Sequence, residues 1–270
     1  MATLPPLSKD RMFLDPVIDQ YVVHIRTSHA KCFAFIERLN ELGNRSLFSA
    51  EVDREDLQEL LLATLLRRAL TSYQATVILA ERGLLQEAQV MLRTLLEVTF
   101  KVAAIATDRK VADEYVRTGI ANRENLLKKF NKLSPTAERV EAQEANRNLL
   151  EATSKLIKEQ KIADGKVENY AKTAGLSDLY NSAYAVLSQH VHVNIGTLED
   201  TLDVDLAGDL VGLKYGPADA DLDHHLLAAA EALIIILRST SSVIDLLTAD
   251  EITKLHIEFI ALHEEISSNE

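Results

Sequence analysis

The chain has 270 residues, with 41 acidic against 29 basic side chains and a formal net charge of −12 at pH 7. Its composition, 47% apolar and 26% charged, is typical of a globular protein that can bury its core as a single domain, 1–270. The acidic excess argues against a nonspecific binder of duplex DNA, because phosphate binding needs clustered Lys and Arg.

The single cysteine, Cys32, cannot form an internal disulfide, which predicts a reducing, cytoplasmic location and a small core residue. Residues 1–14 have no apolar stretch of signal-peptide length, and we expect them to form a flexible N-terminus. The longest apolar run, 226–237, is shorter than the roughly 20 residues of a membrane-spanning helix. It therefore predicts a buried helix and no membrane partner.

Helical periodicity begins near Asp15, which precedes a proline and predicts a helix that ends at Gly43. A second helix is predicted over 53–82 and a third over 85–107. Because only a short turn at Gly83 separates these two, they should be antiparallel neighbours.

A fourth helix, capped by Asp108, and a fifth helix over 134–160 follow. The early turns of the fifth helix are so polar that a broad face must be solvated or bound to a partner. After a connector, one short helix ends at Gly175 and another begins at a Ser177 cap.

An irregular acidic insertion is predicted at 193–222. Together with Asp223 it carries eight acidic side chains against one basic side chain, a net charge of −7, and four of the nine glycines. Alternating apolar residues at 201–206 and 210–215 predict a small hairpin, while the length of the insertion is also that of a functional loop.

Helical periodicity returns over 223–247, and the Thr-Ala-Asp-Glu sequence at 248–251 is a capping box that predicts a last helix. The pattern as a whole predicts an all-α fold, a bundle of about eight helices. The segments 53–82, 85–107 and 223–247 are the most apolar and should form its centre.

Arg93 and Glu97 are the first candidate site residues. Four residues apart, they lie on one face of a strongly apolar helix, where charged side chains need a specific reason. Two interpretations stay open: a partly buried ion pair that ties the helix to a neighbour, and an anion-binding arginine that the glutamate orients.

A second group of polar side chains lies near the end of the helix that begins at Ser177: Tyr184, Ser188, His190, His192 and Asn194. Two histidines two residues apart cannot share a helical face, so they point to different surroundings or the helix ends between them. A helix C-terminus favours protonated histidine, which suits a proton donor near neutral pH. The alternative is that these residues cap the helix and satisfy its carbonyls.

Several motifs of known chemistry are absent from the sequence. It has no glycine-rich phosphate loop, dinucleotide fingerprint, His-Glu-x-x-His motif or cysteine pair for zinc. We therefore predict no metal and no cofactor. His224 and His225, in the first turn of a predicted helix, are expected to be exposed polar residues.

Two segments of the chain resemble a bacterial family of all-helical proteins, domain of unknown function 5677. The resemblance rests on 88–97, with its Leu-Arg-Thr-Leu-Leu-Glu core, and on 180–194, with Tyr184, Leu-Ser at 187–188 and Val-His at 191–192. It covers about 60–198 in helix order and implies a helical fold without implying an activity. Val193 stands where the family has a proline.

A helical bundle with an Arg and His cluster is also similar to the wider HEPN group, many of whose members are metal-independent ribonucleases or toxins in antiviral systems. This chain lacks that group's arginine five to seven residues before a histidine. The resemblance implies an RNA-cleaving site in which Arg93 meets His190 or His192 as general acid or base, while Tyr184 or Asn194 orients the phosphate.

The basic side chains between residues 101 and 132, eight against four acids, could guide RNA to such a site. The competing interpretation is a non-enzymatic module. It would form a homodimer or dock a partner protein through the polar fifth helix and the acidic insertion, with the Arg and His groups purely structural.

Overall fold

A computed structural model of the chain describes residues 4–132, 140–160, 162, 165–191, 195–199 and 201–268, without the side chains of 140–143 and 197. Its α-helices are α1 (Ile18–Ser28), α2 (Ala30–Ser49), α3 (Leu57–Glu81), α4 (Leu85–Thr107), α5 (Arg109–Phe130), α6 (Val140–Gln160), α7 (Val167–Thr173), α8 (Ser177–Leu179), α9 (Ala185–Val191), α10 (Ile195–Glu199), α11 (Leu222–Ser241) and α12 (Ala249–Ser267). The remaining elements are a 3₁₀ turn (Met12–Leu14), a π-helical turn (Tyr180–Tyr184), and strands β1 (Leu202–Val204) and β2 (Leu210–Leu213).

The centre of the bundle consists of α3, α4 and α11, which pack on one another. Leu66, Leu95 and Leu233, one from each helix, are fully buried. On one side α2 and α12 cover α11, and on the other α5, α7 and α9 pack against α4. This arrangement confirms the all-α fold and the predicted centre, because helices that are apolar on most faces need neighbours on most sides.

The predicted first helix differs from the observed structure at both His29 and Gly43. The backbone leaves helical geometry at His29, which separates α1 from α2. The prediction that Gly43 ends the helix is wrong, since α2 continues to Ser49. A Cβ on Gly43 would lie 2.6 Å from Cδ2 of Leu70, so this glycine allows α2 to pack closely against α3.

The predicted count of about eight helices is too low. Besides the break at His29, the helix expected from Ser177 onward is divided, since α8 has three residues and the π-helical turn follows it. The helix expected over 223–247 ends at Ser241, and the following connection buries Ile244 and Leu246.

The predicted N-terminal caps have mixed outcomes. The Asp108 carboxylate accepts a hydrogen bond from the Lys110 N–H at 2.9 Å, which confirms that cap. The capping box of the last helix is wrong. The Thr248 hydroxyl contacts the Ser46 hydroxyl at 2.7 Å instead, and Glu251 pairs with Arg45, because α2 packs beside α12.

The hairpin within the acidic insertion is confirmed. β1 and β2 pair antiparallel, with Leu202 opposite Leu213 and Val204 opposite Leu210. The start of the predicted fifth helix, at 134–139, lies outside the described residues, and α6 confirms its remainder. Among the helices that the structure describes, none has the length and apolar character required to cross a membrane.

Candidate functional site

Polar side chains recur on α4 at intervals of four residues: Gln89, Arg93, Glu97 and Lys101. We call this row the α4 polar stripe. Four-residue spacing places side chains one above another on a helix, so the stripe follows a single face. Most other positions of α4 are buried, Leu92 and Leu96 among them. The stripe is therefore the polar edge of an otherwise apolar central helix.

The helix α9 runs along this stripe antiparallel to α4, because Tyr184 contacts Phe100 while Ser188 contacts Arg93. The π-helical turn before α9 stacks Tyr180 on Tyr184, with ring centroids 5.1 Å apart. Phe100 packs edge-on against both rings. This aromatic packing fixes the Tyr184 ring beside the stripe.

The Arg93 guanidinium binds three side chains, one on α4, one in the π-helical turn and one on α9. Nη1 donates to Glu97 at 3.2 Å, Nη2 donates to the Tyr184 hydroxyl at 2.8 Å, and Nε donates to the Ser188 hydroxyl at 3.4 Å. The guanidinium carbon also lies 5.0 Å from the centre of the Tyr184 ring. Arg93 thus connects α4 to α9, and the expected pairing with Glu97 is present.

Glu97 is shared between two cations. Its second oxygen accepts a hydrogen bond from the Lys101 ammonium at 3.2 Å. The side chains of Arg93, Glu97 and Lys101 are 24%, 26% and 22% exposed, so each is open to solvent at one edge. Two positive charges against one negative charge leave a local excess of one positive charge on a protein that is acidic overall.

Tyr184 stays protonated in this setting. Burial raises the pKa of its phenol, and the nearby Arg93 charge opposes that shift only in part. A neutral hydroxyl that accepts from Arg93 can donate its own proton, and the Ser188 hydroxyl lies within reach. Ser188 itself donates to the Tyr184 carbonyl at 2.7 Å.

His190 lies on α9 beyond Ser188 and is half-buried. Its Nδ1 is buried and has no hydrogen-bond partner among the residues that the structure describes. Buried polar nitrogens are almost always paired, so this atom is available to a group that binds beside α9. His192 and Asn194, the other two predicted site residues of this segment, lie outside the described residues.

His225 extends the site from the first turn of α11. Its Nδ1 donates to the Asp221 carbonyl at 2.8 Å, and its Nε2 accepts from the Gln89 amide at 2.7 Å, the pattern of a neutral imidazole. Burial lowers the pKa of His225, and the hydrogen bond to the Asp221 carbonyl opposes that shift only in part. The prediction that His225 is an exposed polar residue is wrong, because α11 packs its first turn onto α4.

Three further residues belong to this cluster and were not among the predicted site residues: Gln89, Lys101 and His225. The four-residue spacing from Arg93 is a sequence signal that identifies both Gln89 and Lys101. No local signal identifies His225, since only the packing of α11 on α4 brings it to the stripe.

A metal site does not appear in the described part of the chain, where no three His, Cys, Asp or Glu side chains are arranged to hold an ion. In comparisons with known proteins, the sequence profile of a family of unknown function, DUF5677, matches residues 59–209. Searches of curated proteins and of solved structures find no match. The matched segment contains the α4 polar stripe and all of α9.

Proposed function

The chain belongs to the DUF5677 family, and from the polar cluster within the matched segment we propose that it binds the phosphodiester backbone of RNA at Arg93 and cleaves it by metal-independent acid–base chemistry. One observation carries this proposal. Arg93 is held by Tyr184, Ser188 and Glu97 and stays about a quarter exposed, on the same pair of helices as the unpartnered Nδ1 of His190.

The donor inventory of Arg93 supports anion binding. An arginine has five N–H groups, and the described partners use three of them. The remaining two, one on each Nη nitrogen, can donate to an anion. Glu97 is the one negative charge that pairs with both Arg93 and Lys101, so these three side chains keep a net charge of +1. This positive charge favours an anion at this face.

In the proposed reaction, a general base removes the proton of the ribose 2′-hydroxyl, and the 2′ oxygen attacks phosphorus. The bond from phosphorus to the 5′ oxygen breaks, and a general acid protonates that oxygen. The products are a 2′,3′-cyclic phosphate and a 5′-hydroxyl. His190 and His192 would exchange these protons, while Arg93 stabilises the charge that develops on the phosphoryl oxygens.

The test is cleavage of a labelled single-stranded RNA in the presence of excess chelator. We expect Arg93→Ala and His190→Ala each to lower the rate by about a hundredfold or more, the usual effect of losing a charge-stabilising or proton-transferring group. Exposed residues of the same types supply the controls, Arg68→Ala and His24→Ala, which should keep the wild-type rate.

A modified substrate and a conservative variant distinguish a loss of catalysis from a loss of folding. A 2′-deoxy substitution at the cleaved position should block the reaction, because it removes the attacking oxygen. Arg93→Lys keeps a positive charge but not the planar fork, so it should lower the melting temperature less than Arg93→Ala does and still lose most of the activity. Absence of cleavage by the wild-type protein, or equal losses in the control variants, would overturn the proposal.

The proposal keeps the cytoplasmic location that the single cysteine predicts. Cleavage of cellular RNA would harm the cell that contains the protein, so a toxin or antiviral-defence role, as the HEPN likeness implies, would follow from it. Growth arrest on expression of the wild-type protein, with normal growth on expression of His190→Ala, would support that role. Arrest by both would contradict it.

A second candidate function rests on the hairpin, and we propose association of two copies of the chain through it. Val204, Leu210 and Leu213 belong to cross-strand pairs on one face, yet each is at least half exposed. Exposed apolar faces and unpaired strand edges favour association. The polar α6 is a further predicted contact surface for a partner protein.

Sedimentation equilibrium tests the hairpin association. We expect the wild-type protein to be a dimer and Leu210→Asp to be a monomer, because a carboxylate would be buried in the contact. Leu14, another highly exposed leucine outside the hairpin, supplies the control, and Leu14→Asp should remain a dimer. A monomeric wild-type protein would remove this candidate.

A further inference from the structure

The α4 polar stripe leads into a cavity at its Lys101 end. This cavity of about 270 Å³ lies between α4, α5 and α7. Lys101 lines it from α4, Tyr115, Thr118 and Asn122 line it from α5, and Tyr170 lines it from α7. The Arg93 cluster does not use any of these groups except Lys101, whose ammonium binds Glu97.

The inner wall of the cavity is closely packed. Tyr115 and Tyr170 meet edge to face, with centroids 6.1 Å apart. A Cβ on Gly165 would lie 2.7 Å from the Thr118 methyl group and 2.9 Å from the Tyr170 hydroxyl, so this wall has no spare room. Burial raises the pKa of Tyr170, which keeps its phenol neutral. The wall is therefore closely packed, uncharged and partly aromatic.

The size and chemistry of the cavity point to one class of ligand. Its volume is slightly below the roughly 300 Å³ at which pockets for drug-sized ligands begin, which suits one planar ring. The Asn122 amide supplies a donor and an acceptor, and the Thr118 hydroxyl, which donates to the Tyr115 carbonyl at 2.7 Å, supplies a further acceptor. Amide and aromatic groups are those that proteins use to bind an unpaired nucleobase.

The stripe beside the cavity carries a net positive charge. Arg93 and Lys101 are eight residues apart, which places their Cα atoms about 12 Å apart along the helix axis. Glu97 lies between them and neutralises one of the two positive charges. A phosphate attached to a ring in the cavity would therefore extend toward the positively charged α4 polar stripe.

We propose that this cavity is a nucleoside subsite: it takes the base of a nucleoside phosphate against Asn122, with the phosphate bound by Lys101 on the side toward Arg93. The inference rests on the proposed function in placing a phosphate at the stripe. The ligand is a free nucleoside monophosphate or a nucleotide within single-stranded RNA, which share this chemistry.

Binding measured by calorimetry and by thermal shift tests the subsite. The probes are uridine and adenosine monophosphate, the two free nucleosides, inorganic phosphate, and a short single-stranded RNA. We expect each monophosphate to bind more tightly than either of its parts. Asn122→Ala should weaken monophosphate binding about fivefold, the effect of one hydrogen bond, and leave phosphate binding unchanged.

Two other variants locate the ligand. Lys101→Met should weaken the binding of both the monophosphates and inorganic phosphate. Asn125→Ala changes an exposed asparagine of the same helix that does not line the cavity, and it should bind like the wild-type protein. Equal losses in Asn122→Ala and Asn125→Ala, or monophosphates and short RNA that both bind no better than inorganic phosphate, would overturn the subsite.

The binding and cleavage results together identify the source of the ligand and test the subsite independently of the proposed function. Binding of the short RNA, but not of the free monophosphates, assigns the subsite to RNA. Monophosphate binding that depends on Asn122, without RNA cleavage by the wild-type protein, would leave the subsite standing and remove the proposed reaction. If Asn122→Ala changes neither RNA cleavage nor monophosphate binding, the subsite is removed and the proposed reaction stands.

Discussion

At the scale of single residues, burial and hydrogen bonding decide which protonation state each side chain of the cluster adopts. His225 is held neutral by burial, which lowers its pKa more than the hydrogen bond to the Asp221 carbonyl raises it, while its other nitrogen accepts from Gln89. Tyr184 is held neutral by its own burial, beside the charge of Arg93. The permanent charges of the site therefore belong to the α4 polar stripe.

This assignment predicts a pH dependence of stability. The folded protein has a lowered pKa at His225, so the unfolded chain takes up that proton first as the pH falls. The contribution of His225 is present above its unfolded pKa and is lost as the pH falls toward the folded value. Between about pH 7.5 and pH 5.5, the free energy of unfolding should fall more steeply for the wild-type protein than for His225→Gln.

Denaturant unfolding at a series of pH values measures this difference. The control is His24→Gln, which changes an exposed histidine of α1 and should keep the wild-type slope. If His225→Gln also keeps the wild-type slope, the neutral assignment of His225 is incorrect.

At the scale of elements, helix ends depend on which partners happen to lie nearby. Asp56 caps α3 and also accepts a salt bridge from Arg109 at the start of α5. Asp108 caps α5 through the Lys110 N–H alone. The first of these caps thus connects two helices, whereas the second is local and can be tested in isolation.

Removing the local cap gives a prediction for α5. Asp108→Ala should destabilise the protein by about 1 kcal/mol, because a helix N–H loses its acceptor. Asp108→Asn keeps an acceptor oxygen and should cost only a small part of that. Thermal or urea unfolding measures both. A similar cost for the two variants would show that the charge of Asp108 matters rather than its hydrogen bond.

At the scale of the whole molecule, a single apolar cluster joins helices from both ends of the described chain. It includes Phe35 from α2, Leu95 from α4, Leu233 from α11 and Phe259 from α12. Elements far apart in sequence therefore share one core, and loss of any one of them exposes apolar surface on the others.

A shared core predicts cooperative unfolding, as the single-domain assignment of 1–270 also requires. Calorimetry should show one transition whose calorimetric and van 't Hoff enthalpies agree, with far- and near-ultraviolet circular dichroism changing together. Two transitions, or a calorimetric enthalpy well above the van 't Hoff value, would show that the chain unfolds as more than one unit.

The sequence by itself determined the helical class, the central helices, the Asp108 cap and the pairing of Arg93 with Glu97. Each of these depends on periodicity or on residues within one or two turns of each other. The hairpin is equally local, since alternation and glycines mark both strands.

Only the tertiary structure decided the remaining helix ends and the side-chain contacts of the site. Gly43 lies inside a helix because Leu70 approaches it, and Thr248 leaves its capping role because Ser46 lies beside it. The contact of Arg93 with Tyr184 and the arrival of His225 at Gln89 depend on how α9 and α11 pack against α4. These contacts join residues from 27 to 202 positions apart, and no local pattern encodes them.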